Sequence, residues 1–309
     1  MNHAQLQRPN CNGNNSEALT RGSFMIEGLR SKAVNSVFAM TTFAKCWPIW
    51  QPKIAELTAD MSDAAKIYAL GSRLSEIFRL TASAGREQAD LSGGGAAWEG
   101  LVCWYLNLVM TDSRAVVIKQ SKSLIPKTLS NAMAVTYKNV KTNTESDLSG
   151  IIFPKDADLL AASFSEKELE DHVSKNIKKY SLHNIQCKTN WNDNAQIPML
   201  WDMIYQFRGV KEHSVRIGVE GVDLDDLRDF TYSFVTIPSG SKPVKPNSMA
   251  ARRVESLSGG NFWGKPSEAG VAESLSEIFK RVFKTAFDSD IKGHITKLID
   301  NGRISLPRG

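Results

Sequence analysis

The chain is 309 residues long, 42% of them hydrophobic, and carries a formal net charge of +5. This length is enough for one large domain or two small ones. Apolar runs are far shorter than the roughly 18 residues that a membrane helix needs, and the N-terminus lacks the apolar core of an export signal, so we expect a cytoplasmic protein with no membrane partner. The four cysteines form no C-x-x-C pair, which argues against a zinc module or a disulfide framework.

The N-terminal part of the chain is predicted to be mostly helical. Residues 1–22, rich in Asn and Gln, are expected to form a flexible arm. Residues 23–55 have a helical pattern with an expected break at Trp47–Trp50, where a proline stands between two tryptophans. We expect these rings to pack under a loop; stacking on a base or a partner is the alternative. Apolar side chains at helical spacing in 58–83 indicate a core-facing helix, which completes a helical region over 23–90.

One charged residue stands on the next predicted helix. The segment Ser92–Gly95 is expected to be a loop, after which residues 96–108 form a helix that is apolar almost all round, with Glu99 as its only charge. A lone carboxylate on a buried helix is costly unless it is paired or bound to a metal. Glu99 is therefore a site candidate on its own evidence, with a salt bridge to a structural Arg or Lys as the alternative.

Strand and helix patterns alternate through a predicted core over 91–240. The predicted strands are 114–119, 132–137, 143–153, 183–191, 214–219 and 230–237, and the predicted helices are 156–180 and 195–207. The many charges in 156–180 indicate a solvated helical face. This order predicts a mixed α/β fold with helical additions at both ends of the chain.

The strand at 143–153 begins with carboxylates. Glu145 and Asp147 stand two residues apart, and the apolar run Leu148–Phe153 follows. A strand that buries this run and starts with Asp147 places the carboxylate at the rim of a sheet, where it can hold a cation without full desolvation.

The strand at 183–191 carries polar groups on one face. The period of two puts Gln186 and Lys188 on the same face and turns Cys187 toward the apolar one. At about 3.3 Å per residue, the two polar side chains stand roughly 7 Å apart, which leaves room for a metal ion and a scissile group. A thiol nucleophile built from Cys187 and His183 is disfavoured by the same alternation.

The arrangement resembles the PD-(D/E)XK nuclease superfamily, most like type II restriction endonucleases, over roughly residues 96–237. Asp147 matches its strand aspartate, Gln186-Cys187-Lys188 its acidic-x-Lys tripeptide, and Glu99 its helix glutamate, although Gln186 is neutral where the pattern has a carboxylate. The resemblance implies a restriction-endonuclease-like core, with a central mixed sheet flanked by helices. It also implies Mg²⁺ as cofactor, with Mn²⁺ as a substitute, and Lys188 as a catalytic residue. The implied metal ligands are Asp147, Glu99, Gln186 and the backbone carbonyl of Cys187, with Glu145 as a further candidate.

Basic residues near this site are candidates for phosphate contacts, although a solvated loop is an equal alternative. The DNA-binding candidates are Lys119, Lys122, Lys127, Lys138, Lys141, Asn190, Arg252 and Arg253. The segment 241–309 has 12 Lys and Arg against 7 Asp and Glu and is expected to be a basic, helical C-terminal region in which bases are read. Within it, 241–266 is predicted to be a linker or long loop and Glu268–Phe287 a helix.

We expect a Mg²⁺-dependent type II site-specific deoxyribonuclease that cuts double-stranded DNA as a homodimer. The segment Gly259–Pro266 only approaches a phosphate-binding loop, so no nucleotide cofactor is expected. The alternatives are a nuclease-fold DNA-binding subunit that has lost catalysis and a repair or defence nuclease within a complex.

Overall fold

The architecture is that of a computed structural model, which describes residues 28–57, 63–81, 88–120, 124–137, 140–142, 147–157, 165–189, 215–237, 249–264 and 274–304. The predicted arm at 1–22 and the predicted helix at 195–207 lie outside these residues. Within the described ranges, none of the helices is long and apolar enough to cross a lipid bilayer.

Within the described residues, helices dominate the N- and C-terminal parts and strands the middle. The helices are α1 (Gly28–Phe38), α2 (Thr41–Leu57), α3 (Asp63–Arg79), α4 (Gln88–Val109), α5 (Lys127–Ala132), α6 (Glu166–Asn176), α7 (Met249–Leu257), α8 (Ile278–Arg281) and α9 (Ile291–Asp300). The strands are β1 (Ala115–Lys119), β2 (Val135–Tyr137), β3 (Val140–Thr142), β4 (Asp147–Ile152), β5 (Ser181–Lys188), β6 (Val215–Ile217), β7 (Asp229–Thr236) and β8 (Phe262–Gly264).

A five-stranded mixed sheet lies between the helices, in the order β1-β4-β5-β7-β8. β4 is antiparallel to both β1 and β5, whereas β7 is parallel to β5 and β8 is parallel to β7. A strand covered on both faces needs apolar residues throughout, and every position of β1 is buried. The predicted mixed α/β class is confirmed. The predicted strand at 214–219 is also present as β6, but it pairs with β2 in a separate three-stranded sheet, β3-β2-β6.

One face of the central sheet packs against α2, α3, α4 and the C-terminal segments. Ile185 and Cys187 of β5 belong to the same buried cluster as Trp98 of α4. The C-terminal segment closes on β4 at Gly150, where an added Cβ would come within 2.6 Å of the Phe283 ring. We call this side of the sheet the first face.

The opposite side, the second face, packs against α1, α5 and α6. Its buried cluster joins Leu182 of β5 and Ile151 of β4 to Leu29 of α1 and Leu169 of α6. α6 begins where a capping box predicts it, because the Ser165 side chain and the residue three positions later satisfy each other's backbone N–H groups.

The predicted helix break at Trp47–Trp50 is wrong. α2 runs through Pro48, and the chain breaks instead between α1 and α2. Pro48 has no backbone N–H to donate to the carbonyl of Ala44. Because Ala44 is exposed, water can bind that carbonyl instead. Trp47 and Trp50 are buried in the core of the helical layer, so burial of two indoles outweighs the loss of one helical hydrogen bond.

The predicted loop at Ser92–Gly95 is also wrong, because α4 starts at Gln88 and continues through the glycines. A glycine in a helix costs roughly 1 kcal/mol relative to alanine. The tight packing of the rest of α4 against the sheet compensates for this cost, since α4 is buried from Ala97 to Val109.

The C-terminal region is less regular than predicted. The supposed linker at 241–266 contains α7 and β8, and β8 adds the fifth strand of the sheet by pairing with β7. In the described part of the helix predicted at 268–287, short 3-10 segments flank α8. The apolar stripe still packs inward, and Phe279 and Phe283 lie in the buried cluster of the first face. α9, which was not predicted, starts at the N-cap Asp290.

Candidate active site

The two polar strands of the sequence are neighbours in the sheet. β4 and β5 are antiparallel, and their register puts the Cα of Asp147 opposite that of Gln186. Directly opposed Cα atoms in such a pair are roughly 5 Å apart. The register therefore brings the strand aspartate and the first residue of the tripeptide together, although 38 residues of other sequence lie between them.

Alternation along β5 assigns its side chains to the two faces. Ile185 and Cys187 lie in the cluster of the first face, as predicted for Cys187, and Leu182 lies in that of the second. Gln186 and Lys188 therefore share the second face with Leu182. The end of β5 is held firmly, since the carbonyl of Lys188 accepts hydrogen bonds from the backbone N–H of Ile237 at 3.0 Å and from Thr236 Oγ1 at 3.2 Å.

Gln186 has a partner that the sequence did not indicate. Its side chain is buried, and its Oε1 accepts a hydrogen bond of 2.6 Å from the hydroxyl of Tyr232 in β7. Tyr232 is paired at Cα with Asn184, two residues before Gln186 in β5. The predicted strand at 230–237 contained Tyr232, but only the pairing of β7 with β5 brings its hydroxyl to the site.

Further polar groups extend the site along the second face. The amide nitrogen of Gln120, just after β1, donates to Oδ1 of Asn184 at 3.2 Å. Ser149 of β4 is fully buried and stands opposite Asn184. The second face is thus apolar at one end and polar at the end where β4 begins and β5 stops.

Glu99 is buried on α4 and forms an ion pair with the buried Lys119 of β1. The salt bridge that was the alternative explanation of Glu99 is therefore present. Lys119 pairs at Cα with Leu148, the neighbour of Asp147, so the ion pair lies at the same end of the sheet as the β4–β5 register. Lys119 shares the first face of the sheet with Leu148, whereas Gln186 and Lys188 lie on the second face. The proposal of Lys119 as a DNA contact does not hold in this structure, because its ammonium is directed inward to Glu99.

The remaining predicted site residues that the structure describes lie on separate elements. Lys127 is exposed and bridges to Glu220 at 2.8 Å, and Arg252 is exposed on α7. Lys141 lies in β3 and Arg253 in α7. Lys122, Lys138, Glu145 and Asn190 are outside the described residues.

The donor atoms at this end of the sheet suit a hard cation, because Mg²⁺ prefers carboxylate, amide and carbonyl oxygens. The amide oxygen of Gln186 uses one lone pair for the Tyr232 hydroxyl and has a second for another partner. Among the described residues, no group of three or more His, Cys, Asp and Glu could hold a metal ion.

His183 is unsuited to acid–base chemistry near neutral pH. Burial, with a smaller contribution from the charge of Arg228, lowers the pKa of His183 to about 3. Its Nδ1 shares a hydrogen bond of 2.7 Å with Thr231 Oγ1, and its ring lies on the first face against Phe283. This arrangement gives no support to a thiol nucleophile based on Cys187.

No family model, curated protein or solved structure matches this chain.

Proposed function

We propose that the protein is a Mg²⁺-dependent endonuclease that hydrolyses phosphodiester bonds in double-stranded DNA, in the manner of a type II restriction enzyme. The observation that carries the proposal is the register of β4 and β5, in which Asp147 stands opposite Gln186, with Lys188 two residues further on.

The order of elements also supports the proposal. α4 precedes the strands β1, β4 and β5, of which β4 is antiparallel to both of its neighbours, and β7 then adds parallel to β5. This is the order expected of a restriction-endonuclease-like core, apart from the predicted helix before β7, which lies outside the described residues. Many mixed α/β folds share parts of this order, so the register carries more of the argument.

Each residue has a distinct task in the proposed reaction. Asp147, the amide oxygen of Gln186 and the carbonyl of Cys187 would hold the metal, with Glu99 and Glu145 as further ligand candidates. A Mg²⁺ ion held there would supply a lowered pKa for a coordinated water and positive charge against the charge that develops on the phosphate. Lys188 contacts the scissile phosphate and orients the attacking water, because its strand is fixed to β7 up to its last residue.

Contacts outside the catalytic site would be electrostatic. Lys127 and Arg252 are exposed and are proposed to contact DNA phosphates, as are Lys122, Lys138, Lys141, Asn190 and Arg253. Cutting both strands requires two active sites, so we propose a two-fold symmetric homodimer acting in the cytoplasm.

Digestion of plasmid and phage DNA with Mg²⁺ or Mn²⁺ tests the proposal. Wild type is expected to give discrete bands that disappear with EDTA. Asp147→Ala and Lys188→Ala are expected to cleave at least about a hundredfold more slowly, since each removes a group that acts on the reacting phosphate or water. The matched control is Lys179→Ala, which removes an exposed lysine paired with Asp156 at the opposite end of β5 and is expected to cleave normally.

No cleavage by wild type, or equal cleavage by all four proteins, would remove the active-site assignment. A second candidate function would then stand: a DNA-binding subunit with the nuclease fold and no catalysis. Two observations favour it, namely the neutral Gln186 in place of a carboxylate and the neutralisation of Glu99 by Lys119. Such a protein is expected to retain DNA equally in Mg²⁺ and in EDTA.

A further inference from the structure

A hydroxyl from a neighbouring strand reaches the first residue of the Gln186-Cys187-Lys188 tripeptide. The Tyr232 hydroxyl donates to Gln186 Oε1 at 2.6 Å, across the parallel β5–β7 pair. Gln186 is 2% exposed, so bulk water cannot replace this donor. In this bond the hydroxyl is the donor, so the amide is held with its oxygen directed to Tyr232.

Orientation matters for an amide in a way that it does not for a carboxylate. An amide has one oxygen, which can bind a cation, and one NH₂ group, which cannot. A carboxylate has two equivalent oxygens, so either orientation presents a ligand. A glutamine in a cation site consequently needs a group that selects the productive orientation, whereas a glutamate does not.

We infer that Tyr232 is a positioning residue that holds the Gln186 amide with its oxygen available to a divalent cation. One lone pair of Oε1 accepts the Tyr232 hydroxyl, and the second is left for the cation. The inference rests on the proposed function, since it deepens the metal site of that proposal. In this inference a hydroxyl from β7 fixes the orientation of Gln186 and so compensates for the absence of a carboxylate at that position of the tripeptide.

A double-mutant cycle tests this role through Mn²⁺ binding, measured by electron paramagnetic resonance without DNA. Tyr232→Phe is expected to raise the Mn²⁺ Kd about tenfold, as expected for loss of one orienting hydrogen bond. In the Gln186→Glu background, the same Tyr232→Phe change is expected to alter the Kd by less than about twofold, because the carboxylate has no wrong orientation. The matched control is Tyr180→Phe, which removes a hydroxyl bonded to His172 at 2.6 Å, away from the tripeptide, and is expected to leave the Kd unchanged.

The outcomes separate the inference from the proposed function. An equal effect of Tyr232→Phe in both backgrounds, or no effect in either, would overturn the positioning role while Mn²⁺ binding and DNA cleavage by wild type still stood. Wild type that neither binds Mn²⁺ nor cleaves DNA would overturn both. Circular dichroism melting of each variant shows whether a change in the Mn²⁺ Kd comes from unfolding. Only a positioning role predicts that Tyr232→Phe changes the Kd in the wild-type background and not in the Gln186→Glu background while the melting temperatures stay equal.

Discussion

The Glu99 carboxylate and the Lys119 ammonium form an ion pair inside the protein, where charged groups are seldom found. A buried ion pair is weak evidence for stability, because the loss of hydration of both groups offsets most of their mutual attraction. Glu99 is nevertheless a candidate metal ligand of the proposed function, although the pair lies on the first face of the sheet and Gln186 on the second. Stability and activity are therefore expected to respond differently when the pair is removed.

Removing one partner of the pair should be costly, whereas removing both should not. Glu99→Leu or Lys119→Met leaves an unpaired buried charge and is expected to lower the free energy of unfolding by about 3–5 kcal/mol. The double variant is expected to unfold within about 1 kcal/mol of wild type and yet to lose DNA cleavage. Urea denaturation and DNA digestion measure the two quantities.

The exposed pair between Lys32 and Glu166 offers a control for this experiment. Lys32→Met is expected to leave the urea midpoint unchanged, because water and salt screen an exposed pair. A double variant that loses as much stability as the sum of the two single variants would contradict the assignment of a buried pair.

At the scale of elements, α4 illustrates how a helix can contain glycines for opposite reasons. An added Cβ at Gly95 would meet nothing within 4 Å, whereas at Gly100 it would come within 2.5 Å of the Phe43 ring of α2. Gly95 therefore has no steric role in the described structure, while Gly100 permits the close approach of α2 and α4.

The two glycines are expected to respond to alanine with opposite signs. Gly95→Ala should raise the free energy of unfolding by about 0.5–1 kcal/mol, because alanine loses less backbone entropy on helix formation. Gly100→Ala should lower it by about 1–3 kcal/mol, because the methyl group displaces a packed aromatic ring. Urea denaturation of the two variants measures both effects, and a loss of stability in Gly95→Ala would show that residues 92–95 are not helical.

At the scale of the whole molecule, two buried histidines join the C-terminal segment to the rest of the protein. The ring of His183 in β5 packs 5.2 Å from that of Phe283. The Nε2–H of His294 in α9 donates to the carbonyl of Thr111 at 2.9 Å. Burial lowers the pKa of both, to about 3 for His183. Both are thus expected to stay neutral in the folded protein when an unfolded chain would protonate them.

This difference predicts a loss of stability in mild acid. Between about pH 6.5 and pH 3 the unfolded chain binds a proton at position 183 that the folded protein does not, so stability falls as the pH falls. From pH 6.5 to pH 5 the fall due to His183 should be about 2 kcal/mol, since each pH unit contributes about 1.4 kcal/mol per group. Urea denaturation at pH 7.5 and pH 5 measures the difference.

His183→Gln is expected to reduce this pH dependence even if it lowers stability at both pH values. His294→Gln should reduce it further when the two changes are combined, because the two imidazoles titrate at separate sites. If His183→Gln loses as much stability on acidification as wild type, the buried neutral imidazole is not the cause.

The sequence by itself determined the elements whose evidence is local. Period-two alternation identified the strand that became β5 and placed Cys187 on its apolar face, and continuous apolar runs identified the strands that became β1 and β4. The isolated charge of Glu99 on an apolar helix indicated a buried carboxylate that needs a partner, and the structure shows the salt bridge that the sequence offered as the alternative to a metal. Such patterns can be recognised in a sequence because the side-chain directions of strands and helices repeat within a few residues.

Only the tertiary structure decided which distant residues meet. The pairing of β4 with β5, the identity of Lys119 as the partner of Glu99, and the bond from Tyr232 to Gln186 join segments that are far apart in sequence. The same non-local packing kept Pro48 within a helix. The helix propensities of single residues differ by about 1 kcal/mol, or by a few for proline. Burial of one large apolar side chain stabilises the fold by a similar or larger amount, so packing overrides these propensities.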